Sequence, residues 1–188
     1  MAYYSADPER GSRKIDTITR PFDPAWWRVV PITTGVELYF AILNEYTDPM
    51  GRIIAALTGS PAYHVETFID PSLAAPATTE LAESKLDLPY DWERALASWK
   101  DANKPEPDGK EFCSGMAYEI LNPILPGLQP YPSPGCLLRQ VTGMVGQPMP
   151  LLASLPLKVS EDDLEWLMNV PTDKLATGPK QEVIAILA

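Results

Sequence analysis

One histidine and two cysteines in 188 residues are too few for a polyhistidine or CxxC-type metal site, so neither zinc nor another metal ion is expected. No Gly-rich phosphate loop of the P-loop or dinucleotide type is present, and no cofactor is expected. No apolar run approaches the roughly 18 residues needed to span a bilayer. The polar start, Met1 to Arg20, is unlike a secretion signal, so the expected location is cytoplasmic or virion-associated. Basic residues are also in deficit: Lys+Arg 15 against Asp+Glu 25 gives a net charge of −10, which repels phosphate and argues against nucleic acid as a partner. What is plentiful is proline. Twenty-one prolines are roughly twice the ordinary usage, and each fixes φ and removes a backbone donor, which predicts a loop-rich fold.

The length suits one domain with appendages. Residues 1–24 carry Asp7, Arg10, Arg13, Lys14 and Arg20 among few apolar anchors and read as an arm. Residues 25–157 form the expected domain, and residues 158–188 a C-terminal helix and strand. Within the domain, Val36–Phe40 and Tyr63–Ile69 read as strands, the second with His64, Glu66 and Phe68 on one face. Asp48 to Thr58 reads as a helix stopped by Gly59. Ala77–Ala82 is a candidate partner strand, Asp91–Lys100 a helix with Trp92, Leu96 and Trp99 on one face, Lys104–Lys110 a charged loop, and Phe112–Leu121 a helix. Little regular structure is expected from Pro123 to Pro156 beyond Cys136–Val141. Ser160 caps an expected helix over Glu161–Met168, and Glu182–Leu187 reads as a closing strand. The Trp26–Trp27 pair suits core or arm anchoring better than sugar stacking.

One thiol and one imidazole remain as chemistry. Cys113 opens a helix, where unpaired N–H groups and the dipole favour a thiolate and can hold a developing oxyanion. His64 on a strand could pair with that thiol and protonate a leaving group if a third group fixes its tautomer. Buried cysteines are more often inert, and a lone strand histidine is more often structural.

The string Thr58-Gly-Ser-Pro-Ala-Tyr-His64-Val-Glu-Thr-Phe-Ile69, followed some fifty residues later by Glu111-Phe-Cys113-Ser-Gly, resembles the circularly permuted NlpC-like branch of the papain-type cysteine hydrolases. There the histidine strand precedes the nucleophile helix, and the resemblance covers residues 30–140. It implies an α+β, papain-like fold with a small antiparallel sheet, Cys113 as nucleophile and His64 as base. For the third polar residue it points to Glu80, with Glu83 and Glu66 as alternatives, and it makes Cys136 a structural bystander. Tyr63 and Gly115 stand where the family has Ser and an acidic residue. The implied reaction is amide hydrolysis, with peptidoglycan stem peptides as the leading substrate and lipid acyl or amide substrates next. The alternative is a papain-like scaffold serving as a docking component of a larger assembly such as a phage virion, with partners held by the N-terminal arm and C-terminal tail.

Overall fold

A computed structural model describes residues 1–16, 23, 25–99, 109–148 and 157–188. Among these the chain is α+β, with a five-stranded antiparallel sheet and seven helices. Strands β1 (Ala2–Asp7) and β2 (Gly11–Ile15) form a hairpin, and β3 (Trp27–Thr33) and β4 (Val36–Ile42) form a second. After helix α1 (Pro49–Thr58), strand β5 (Ala62–Ile69) enters between the hairpins, giving the order β2-β1-β5-β4-β3. Helices α2 (Pro76–Glu83), α3 (Trp92–Ala97), α4 (Cys113–Leu121) and α5 (Pro134–Met144) follow, and α6 (Glu161–Asn169) and α7 (Thr177–Leu187) close the chain.

Local chemistry sets several boundaries as the sequence predicts. Asp48 caps α1 by accepting from Gly51 N at 2.7 Å, Pro49 fills the first turn where its missing N–H costs nothing, and Gly59 ends the helix at φ 62°. Ser160 and Asp163 form a reciprocal capping box at the start of α6. The acidic triplet there is a helix start, and Asp163 also holds Arg52 of α1 at 2.5 Å, tying the C-terminal helices to the domain.

Three expectations are overturned. Residues 1–16 are no arm. Ala2, Tyr4 and Ala6 alternate into the core, and β1 pairs with β5. The polar residues that suggested an arm close the hairpin instead: Asp7 Oδ1 accepts from Glu9 N and Arg10 N, and Arg13 pairs with Asp7 at 2.7 Å. Ala77–Ala82 is part of helix α2, where Pro76 opens the first turn and Thr78 and Ala82, four apart, are the buried residues. Glu182–Leu187 belongs to α7; Val183 and Lys180 are buried, and the Lys180 ammonium donates to the Met168 and Val170 carbonyls at the end of α6. The proline-rich stretch is also more regular than expected, since Ser133 caps an eleven-residue α5 with Pro134 in its first turn. The Lys104–Lys110 loop lies outside the described residues except for Gly109 and Lys110.

The core is continuous. Leu38, Phe40, Ile42, Ile53, Ile69, Met116, Ile120, Leu137 and Leu138 are fully buried between sheet and helices. Helix α4 packs against β5 and β1, and α5 against β5 and β3. Trp27 is buried, while Trp26 lies edge-on to Tyr46; Trp92 is buried but Trp99 is exposed, so α3 ends before reaching it. Among the described residues no helix is long and apolar enough to cross a membrane.

Close packing makes two glycines of α5 respond oppositely to alanine. A Cβ on Gly135 would lie 2.2 Å from Ser60 Oγ, whereas one on Gly143 meets nothing within 4 Å. In denaturant unfolding, Gly135→Ala should cost about 1–3 kcal/mol, and Gly143→Ala should gain up to about 1 kcal/mol. Equal effects would contradict the seating of α5 against the start of β5.

Candidate active site

Strand β5 is hydrogen-bonded on both sides, which fixes its register and the direction of its side chains. His64 stands opposite Ala41 and Glu66 opposite Tyr39. The next residue on that face, Phe68, joins Tyr3 and Tyr39 in an aromatic cluster with centroids 5.2–6.2 Å apart. Glu66 is therefore sealed from water, with 0% exposure.

A buried carboxylate requires a compensating donor or charge. Glu66 Oε1 lies 3.4 Å from His64 Nε2, and Ser5 Oγ lies 3.3 Å from the same nitrogen. Cys113 is the other group that acts on the imidazole, by hydrogen bonding and by charge. Burial disfavours the imidazolium, but the hydrogen bonds and charges of Cys113 and Glu66 outweigh it and raise the pKa from 6.5 to about 10.

Cys113 is the first residue of α4 and is only 3% exposed. Its approach is pinned by a short parallel bridge: Glu111 N donates to Pro89 O at 3.0 Å, and Asp91 N to Glu111 O at 2.8 Å. The N-cap residue, Phe112, has no side-chain acceptor, so no cap from that residue occupies the first-turn N–H groups of α4. Tyr63 and Gly115 are both set by close packing. A Cβ on Gly115 would lie 2.6 Å from the Phe112 ring, and Tyr63 packs against Gly51 of α1, where a Cβ would meet its ring at 2.6 Å.

Of the three carboxylates weighed as orienters, Glu66 reaches the imidazole. Glu80 is exposed on α2, because the segment expected to be its strand is helical. Glu83, at the end of that helix, is engaged by Tyr4 at 2.7 Å and Lys14 at 2.6 Å, and these two partners hold its carboxyl below the usual range. Cys136 is a free thiol that accepts from Gln140 Nε2 at 3.1 Å.

A cavity of about 730 Å³ opens in front of His64, lined also by Tyr63, Tyr90, Asp7, Asp48 and the indoles of Trp92 and Trp166. Cys113 does not itself line it. Burial, then the negative neighbours Cys113, Asp48, Asp7 and Asp91, push the Tyr90 hydroxyl well above its ordinary pKa, so it remains a donor. Ser5, Tyr90 and Trp166 carry no sequence signal beyond being polar or aromatic; they were hidden in segments read as an arm, a helix entry and an appendage. Among the described residues, no group of three or more His, Cys, Asp or Glu is placed to hold a metal ion.

Set against family models, curated proteins and solved structures, the chain matches none.

Because the folded pKa of His64 exceeds its unfolded value, the associated stability is fully present below about pH 6.5 and is lost as pH rises through about 10. Thermal unfolding of the wild type should therefore show a falling midpoint between pH 7 and 10, with a shallower fall in Cys113→Ala. Parallel profiles for the two proteins would contradict the coupling of thiol and imidazole.

Proposed function

We propose that the chain is a papain-like cysteine hydrolase of the permuted NlpC type that cleaves an amide bond by acyl transfer to water. The observation that carries this reading is the grouping of Cys113, His64 and Glu66: the buried carboxylate lies 3.4 Å from the imidazole, and the helix-start thiol acts on the same ring to raise its pKa. Three groups so linked have the relation that nucleophilic catalysis needs: a nucleophile, a base beside it and an orienter behind the base.

In the proposed reaction the Cys113 thiolate attacks the carbonyl carbon, and first-turn N–H groups of α4 receive the developing negative oxygen. Protonated His64 gives its proton to the departing amine as the C–N bond breaks and the thioester remains. The neutral imidazole then takes a proton from water, whose hydroxide displaces the thiolate and releases the acid. Glu66 and Ser5 hold the ring through Nε2, and Glu66 offsets the imidazolium charge. The resemblance supplies peptidoglycan stem peptides as the leading substrate. Nothing in the Cys–His–Glu row itself selects the peptide.

The low exposure of Cys113 and its absence from the cavity lining favour a second reading, a papain-like scaffold serving as a docking component of a larger assembly such as a phage virion. Activity separates the two. On purified peptidoglycan or a synthetic amide, Cys113→Ala and His64→Ala should each lose at least about a thousandfold in kcat/KM, with the double variant little worse than either. Glu66→Gln should lose less, on the order of a hundredfold. Glu80→Gln should match the wild type. Additive losses, or a larger effect at Glu80 than at Glu66, would overturn the assignment.

A further inference from the structure

We propose that the cavity in front of His64 is the leaving-group side of the cleft and receives an amine bearing an aromatic side chain, which lies on Trp92 and Trp166. The inference rests on the hydrolase reading but not on its leading substrate: stem peptides carry no aromatic residue, and the cavity points instead to peptides with an aromatic residue immediately after the scissile bond. The imidazole is the group that protonates the departing nitrogen. A cavity that meets the imidazole but not the sulfur is therefore placed for the amine half of the substrate and not for the acyl half.

The walls say what that half carries. Tyr90 stands edge-on to Trp92 with centroids 5.9 Å apart, and Trp92 continues into Trp166 at 6.1 Å, giving one run of aromatic rings along the cavity. Met50 and Ile54 of α1 extend it. Such a wall gains by covering itself with an aromatic ring and offers a small side chain little. Asp7 and Asp48 line the same space, so an amine nitrogen released there meets carboxylates. Asp7 already holds Arg13 at 2.7 Å, and Asp48 caps α1 through one oxygen, so both are fixed in place before anything binds. Glu9, Arg10 and Arg13 line the space as well, so the charged lining other than His64 has one acid more than it has bases.

Trp166 comes from α6, in the segment the sequence presents as an appendage. The Arg52–Asp163 pair holds that helix against α1 and so delivers the indole to the cavity. Helix α6 thereby becomes a wall of the site.

Calorimetric titration of the full-length Cys113→Ala protein with phenylalaninamide and with glycinamide tests the subsite without turnover. Phenylalaninamide should bind at least about tenfold more tightly. The preference should shrink to within about threefold when Trp166→Ala is added, and Trp166→Phe should retain most of it. Equal binding of the two amides, or a preference indifferent to Trp166→Ala, would overturn the proposal. Wild-type hydrolysis of acetylglycyl-phenylalaninamide and acetylglycyl-glycinamide separates this from the hydrolase reading. Selective binding without turnover of either amide contradicts the hydrolase and leaves the aromatic amine site standing. Turnover without preference contradicts the subsite and leaves the hydrolase.

Discussion

A carboxylate with no exposure to solvent in the central strand of a β-sheet must be matched locally, and in this chain the His64 imidazole lies 3.4 Å from Glu66. That requirement organises much around it. β5 needs partners on both sides to hold His64 and Glu66 in register; β4 supplies one and the N-terminal strand β1 the other, bringing Ser5 to the ring. Charge at the imidazole is also favoured by Cys113, the first residue of α4. The same bridge that fixes Cys113, between residues 89–91 and Glu111, brings Tyr90 into the cavity.

How much of this could be read from sequence depended on how local the determining physics is. α1, β5, α4 and α6 were legible because caps, alternation and helix stops are written within a few residues, as in Asp48–Pro49 and Ser160–Asp163. Where tertiary packing decides, local signals misled. Thr78 and Thr79 suggested a strand, yet Pro76 and the buried pair Thr78 and Ala82 make a helix. Val183, Ile184 and Ile186 suggested another strand, yet burial of Val183 and Lys180 against neighbouring helices makes α7. The N-terminal hairpin was obscured because its inward residues are largely alanines, and its polar residues pair with one another in the turn.

The site was partly legible for the same reason. Cys113 and His64 announce themselves by residue type and position on their elements, and Glu66 by lying two residues along the same strand. The choice of Glu80 followed from expecting a second strand that does not exist, so the error was one of topology. Ser5, Tyr90 and Trp166 reach the site only through contacts spanning much of the chain, and no local pattern records such contacts.

The presence of one histidine makes the central claim directly measurable. Imidazole resonances followed by NMR from pH 5 to 11 report His64 alone. Pairing with Cys113 and Glu66 predicts that the wild-type ring titrates near pH 10 and that Cys113→Ala moves the midpoint down. A wild-type midpoint near 6.5, unchanged by Cys113→Ala, would show that the thiol and imidazole do not form one unit.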